Sequence, residues 1–164
     1  MELKRHLNLR YLFVGLYVLF FVTYIVIGLQ PAEAAVSYEV SANLSIPAIS
    51  LESDVTELTL RDGNLDTPDT IVGSYSRADN KTLLIGHSTT VFEHLDDIHL
   101  GDKVEYDNIS YTVVSYEIQA KTDISMARLL RSADDDTIVL MTCAGELLEN
   151  GDATHRLIIT AVSD

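Results

Sequence analysis

The chain has 164 residues, with 11 Lys and Arg against 25 Asp and Glu, a formal charge of −14 and one cysteine. That length holds one domain and a short appendage. The charge excludes a phosphate-binding surface, so no nucleic-acid partner is expected, and it disfavours lying flat on an anionic bilayer. A single cysteine excludes an internal disulfide framework.

Residues 1–10 carry Lys4, Arg5 and Arg10 and read as a basic cytoplasmic segment. Residues 11–29 are uncharged and rich in Leu, Val, Phe, Ile and Tyr. As a helix, 19 residues cross most of a hydrocarbon layer of about 30 Å. A cleaved signal peptide is the competing reading, because Ala32-Glu33-Ala34 imitates a small-x-small cleavage pattern. The apolar stretch is longer than the usual core of such peptides, which favours an uncleaved single-pass transmembrane anchor. Basic residues before the span place the N-terminus inside and the main domain outside. Both readings export the domain.

Residues 30–42 read as a linker, and residues 43–164 as an extracellular domain of short strands separated by Gly, Asp, Asn and Pro. Leu44 to Ile49 is an expected strand, with Pro47 suiting an edge. Val55 to Leu60 is expected as a helical turn and Asp62-Gly63-Asn64 as a loop. Thr70 to Val72 and Thr82 to Ile85 read as strands, the second running into Gly86-His87. Apolar residues at 91, 92, 95 and 98 predict one or two helical turns against the core. Lys103 to Tyr106 and Ile109 to Ile118 predict a hairpin turning at Asp107-Asn108. Ser125 to Arg131 predicts a short helix, and Asp134 to Asp136 a turn. Thr137 to Thr142 is the strand that delivers Cys143, Ala144 to Thr154 a polar loop of 11 residues, and Arg156 to Val162 the last strand. Such a series predicts an all-β antiparallel barrel or sandwich with minor helices.

Cys143 stands 56 residues after His87 and 13 before Arg156. A free thiol has a pKa of about 8.5, so a cysteine nucleophile needs a nearby base or positive charge. A histidine at a strand end could stabilise the thiolate and later protonate an amine leaving group. Arg156 keeps its charge and presents five donors, which suits a developing oxyanion or a substrate carbonyl. Taken singly, each is more ordinarily a packed thiol, a structural histidine or a solvated strand-end arginine. Their joint spacing is what argues for a cysteine transpeptidase.

The chain resembles the sortases, membrane-anchored cysteine transpeptidases, over nearly its whole length. Ile46-Pro47-Ala48-Ile49 is similar to their early Ile-Pro-x-Ile/Leu strand, and Leu84-Ile-Gly-His87 to the segment ending in the catalytic histidine. Phe92 with Leu95 resembles the following Phe-x-x-Leu, and Gly101-Asp102 the Gly-Asp turn. Leu140-Met-Thr-Cys143 matches the Thr-Leu-Thr-Cys signature at its last two positions, and Arg156-Leu-Ile-Ile159 resembles the Arg-Leu-Val-Val strand. The resemblance implies an eight-stranded sortase-like β-barrel with short helices, behind one N-terminal transmembrane helix. It implies Cys143 as nucleophile, His87 as acid and base, and Arg156 as the oxyanion or substrate arginine, with Thr142 helping to position substrate. The implied partners are secreted proteins carrying a C-terminal sorting signal such as Leu-Pro-x-Thr-Gly, and an amine on a peptidoglycan precursor or pilin. No cofactor is expected. The carboxylates form no tight calcium-loop pattern, which leaves calcium dependence open.

Two rivals stand beside this reading. A zinc hydrolase would use His87, His94 or His99 with Cys143 or His155, but no close Cys-x-x-Cys or His-Glu-x-x-His spacing exists. A non-catalytic surface binding domain of the same fold would need none of this chemistry.

Overall fold

The computed structural model describes residue 13 and residues 15–21, 37–61, 64–149 and 151–164. The chain divides into two compact units, Met1–Ser37 and Tyr38–Asp164. In the first, Phe13 and residues 15–21 are helical, with large apolar side chains such as Phe13, Phe20 and Phe21 exposed. Among the described residues no helix is long and apolar enough to cross a membrane. Most of the expected span 11–29 lies outside the described residues.

Among the described residues the second unit has ten strands. They are β1 (Val40–Ile46), β2 (Leu51–Glu57), β3 (Leu60–Arg61), β4 (Asn64–Leu65), β5 (Val72–Ala78), β6 (Lys81–Ile85), β7 (Lys103–Tyr106), β8 (Ile109–Ala120), β9 (Thr137–Leu147) and β10 (Ala153–Ser163). Eight close into a barrel in the order β1-β2-β5-β6-β9-β10-β8-β7, while β3 and β4 form a separate small ribbon. Closure removes the unpaired edges an open sheet would expose. The expected all-β barrel of eight strands is therefore present.

Several local expectations are corrected. The barrel is not purely antiparallel: β2 pairs with β5, and β6 with β9, in parallel. The first strand begins at Val40, inside the expected linker. Val55 to Leu60 is no helical turn, since β2 runs to Glu57. The apolar spacing of Val55 and Leu58 imitates a helix, but Leu58 instead packs where Gly73 lacks a side chain, with its N–H donating to the Ser74 carbonyl at 2.7 Å. The strand expected at Thr70 to Val72 starts at Val72 and runs on to Ala78.

Turn chemistry matches its sequence signals. Asp107 and Asn108 both have positive φ, 49° and 63°, the paired left-handed conformation of a two-residue turn whose twist fits the flanking strands. The Phe92, Leu95 and Ile98 side chains are buried beside a short 3-10 helix at Leu95–Asp97. Ser125 to Arg131 contains a single helical turn, Met126–Leu129.

Alternation along each strand sorts side chains into two clusters. Leu84, Ile138, Leu140, Leu157 and Ile159 fill the barrel interior. Leu83, Val139 and Ile158, each one residue out of phase, face outward under Leu130, which with Ile124 and Leu129 comes from the β8–β9 connection. This outer cluster carries the floor of the candidate site.

Candidate active site

Cys143 does not end its strand. β9 continues to Leu147 and β10 begins at Ala153, so the expected 11-residue loop shrinks to residues 148–152. Pairing across the ladder places Arg156 directly opposite Cys143. Opposed residues on neighbouring strands point to the same face with Cβ atoms about 5 Å apart. Both share the phase of Met141 and Ile158, which puts them on the outer face of the barrel.

On the other side of β9, the parallel register runs to Ile85 opposite Met141. The ladder ends at that pair, and His87 follows two residues later, where the chain turns: its carbonyl accepts from the Thr90 and Phe92 N–H groups. Gly86 lies against β9 on one flank, with Arg156 on the other. The Gly86-His87 segment is held by two bonds from β9 and its own backbone: the Thr142 hydroxyl donates to the Gly86 carbonyl at 2.7 Å, and the Gly86 N–H donates to the Met141 carbonyl at 3.3 Å. Residue 86 must be glycine, because a Cβ there would lie 2.6 Å from Val91 and 2.7 Å from Phe92.

Thr142, Cys143 and Arg156 line one pocket of about 530 Å³ together with Gly86. Its walls are largely apolar, with Leu65, Tyr75, Ile85 and Met141 on one side and Ile124 and Leu130 on the other. Thr142 is only 4% exposed, with its hydroxyl committed to Gly86. Cys143 is half-buried and unpaired.

His87 is not part of that lining. Its Nε2 lies 3.4 Å from the Thr67 carbonyl and 3.6 Å from the Asp69 carboxylate. His155, the other histidine near the cysteine in sequence, pairs with Ala144 and bonds the Thr154 hydroxyl through Nδ1. Strand alternation therefore sends it to the face away from Cys143.

Arg156 is nearly enclosed, its side chain 15% exposed, and its guanidinium donates to the Asp152 carboxylate at 2.6 Å and to the Ala153 and His155 carbonyls at 3.0 and 2.9 Å. Asp152 also accepts from Lys121, which closes the β9–β10 loop onto the end of β8. The Lys121 ammonium, then Arg156, hold the Asp152 carboxyl well below the usual carboxylate range. Sequence reasoning missed Asp152, Lys121 and Asp69. None sits in a spacing that singles it out, and only the closed fold brings them to the site. The outward phase of Cys143, by contrast, was available from its alternation with Met141 and Val139.

A closed β-barrel that displays a cysteine and an arginine side by side on its outer face, beside a histidine-bearing strand end, defines a thiol-bearing barrel of a particular kind. The family model of the sortase domain matches residues 44–164, and the chain belongs to the sortase family. Solved structures agree on the fold. A lid mutant of sortase A from Corynebacterium diphtheriae superposes with a TM-score of 0.61 at 23% identity, covering 83% of this chain and 75% of that one. Another sortase A chain from the same organism gives 0.60 at 20% identity, covering 79% of this chain and 63% of that one. Sortase C-1 from Actinomyces oris gives 0.59 at 23% identity, covering 81% and 76%. The comparison with curated proteins finds no match.

Proposed function

We propose that this chain is a membrane-anchored cysteine transpeptidase that cleaves a C-terminal sorting signal of the Leu-Pro-x-Thr-Gly kind and passes the acyl part to an amine on a cell-wall precursor or pilin. The observation that carries it is the cross-strand pairing of Cys143 with Arg156 on a pocketed outer face.

In this reading the Cys143 thiolate attacks the carbonyl carbon of the scissile Thr-Gly bond. The carbonyl oxygen becomes negative and is met by the Arg156 guanidinium, whose donors supply charge-assisted hydrogen bonds. His87 gives its proton to the departing glycine amine, the C–N bond breaks and a thioester remains. An incoming amine then attacks the thioester, His87 takes its proton, and the Cys143 thiolate leaves. Thr142 helps to position the substrate through the backbone, fixing Gly86 and hence the histidine behind it. Asp69, 3.6 Å from Nε2, is placed to orient the imidazole. Residues 11–29 anchor the enzyme in the cell membrane, residues 1–10 stay in the cytoplasm, and the barrel works outside behind the 30–42 linker. No metal enters the scheme, and among the described residues no three His, Cys, Asp or Glu side chains cluster as ligands.

One observation favours a non-catalytic binding domain: Arg156 is already bonded to Asp152, and the His87 ring contacts Thr67 and Asp69. A single experiment separates the two. Full-length protein in detergent is incubated with Leu-Pro-x-Thr-Gly peptides and an amine, then analysed by intact mass. Transpeptidase action gives an acyl adduct on Cys143 and a transfer product, both absent in Cys143→Ala. Binding of peptides without any adduct across a broad panel, in folded protein, overturns the reading.

A further inference from the structure

The surface of this protein is overwhelmingly acidic, yet the cysteine pocket is not. Its lining includes Arg77, Lys121 and Arg156 and, among the described residues, no Asp or Glu. Three of the chain's 11 basic residues thus converge on one pocket in a protein with 25 acidic ones. Two of the three share Asp152. Arg77 is different: it stands exposed in the lining, on β5 two residues from Tyr75, and among the described residues it has no ion pair or hydrogen bond. Asp66 and Asp123 neighbour the lining in sequence, but neither belongs to it. An unpaired guanidinium beside an apolar trough, inside a field that repels anions elsewhere, is a selective contact for one carboxylate.

We infer that the donor peptide carries an acidic side chain on its acyl side, about five to six residues before the scissile bond and so just ahead of the sorting signal's Leu, and that Arg77 reads it. The inference rests on the transpeptidase reading above and deepens it by naming the charge of the substrate.

The spacing follows from register. Ser76 pairs with Thr82 and Ala78 with Lys81, so Arg77 falls between those rows. Thr82 and Lys81 pair with Ile138 and Thr137 on β9, five to six residues before Cys143. At roughly 3.3 Å per residue along the strand and about 4.8 Å per strand across β5, β6 and β9, the backbones are about 20 Å apart. The arginine and a Glu side chain together close roughly 8 Å of that, leaving about four extended residues as the shortest connection. The acyl side is indicated because the peptide held in the trough must stay while the leaving amine departs and a new amine enters. The apolar walls take its uncharged side chains, and Arg77 takes the carboxylate beyond them.

The test is a peptide series on full-length enzyme. Glu, Gln or Lys is placed singly five or six residues before the scissile bond of a Leu-Pro-x-Thr-Gly peptide, or at matched positions after it, and kcat/KM is measured. The expected order at one of the acyl-side positions is Glu over Gln over Lys, with Glu ahead of Gln by about three- to tenfold, carried by KM and shrinking as salt is raised. In Arg77→Glu the Glu-to-Lys ratio should reverse. Should that variant misfold, the wild-type series and its salt dependence decide alone. Equal rates for Glu, Gln and Lys at every acyl-side position, or a preference only after the scissile bond, overturn the inference while leaving the transpeptidase intact. Failure of every peptide to acylate folded enzyme overturns the transpeptidase reading itself.

Discussion

The two faces of the β9–β10 ladder share one backbone and serve opposite ends. Inward, Leu140, Leu157 and Ile159 are fully or almost fully buried and close the barrel core. Outward, in the alternate phase, Met141 and Ile158 give way to Cys143 and Arg156, and the covering β8–β9 connection leaves a pocket over them. The first face serves stability, and the second is the one the proposed chemistry requires, because a reacting thiol must meet solvent and substrate while a core leucine must not. Thr142 joins the two: it points inward, yet its hydroxyl fixes the Gly86 carbonyl just before His87.

Substitutions on the two faces should therefore separate activity from folding. Cys143→Ala should abolish transfer and acyl-enzyme formation with an unchanged thermal midpoint; surviving transfer would remove the outer face from the mechanism. On the inner face, Leu140→Ala should lower unfolding free energy by about 2–5 kcal/mol in a urea titration, the range for a buried leucine left as a cavity. Arg156→Ala should reduce kcat by about 10²–10³, or roughly 2.7–4 kcal/mol, the loss typical of one oxyanion donor. Arg156→Lys should not restore it, since a point charge does not reproduce the fork. Thr142→Val should show on both axes, with about 1–3 kcal/mol of lost stability from the orphaned Gly86 carbonyl and reduced kcat through His87. A fall in one axis alone would show that the strand's two faces are not coupled there.

The smallest effect concerns acid. Asp164 is held low by Lys103, then by the Thr112 and Ser110 contacts, as Asp152 is by Lys121 and Arg156. A carboxyl with a depressed folded pKa contributes stability above its unfolded value, near pH 4, and loses it as pH falls further. Asp164→Asn should lower stability slightly near neutrality and flatten the stability-versus-pH curve below pH 4, so that the variant and the parent converge at the acid end. A steeper acid limb in that variant would contradict the sign.

Much of this arrangement was legible in the chain. Asp107-Asn108 announced a turn because few residue pairs tolerate two positive φ angles. The apolar runs at Leu83-Leu84 and Ile138 to Leu140 announced strands, and the order of His87, Cys143 and Arg156 carried the family resemblance. What misled was local: Val55 and Leu58 at helical spacing, and the polar residues after Cys143 taken for loop. In both places hydrogen bonding to a strand distant in sequence overrode local composition.

The sequence by itself determined the charge, most of the strands and the family resemblance, because alternation, turn chemistry and residue type are local properties. Only the tertiary structure decided the parallel pairing of β6 with β9, the pairing of Arg156 with Cys143, the hold of Asp152 and Lys121 on that arginine, and the place of Arg77 in the pocket lining. Those depend on which strands become neighbours when the barrel closes, and barrel closure is set by packing across the whole chain.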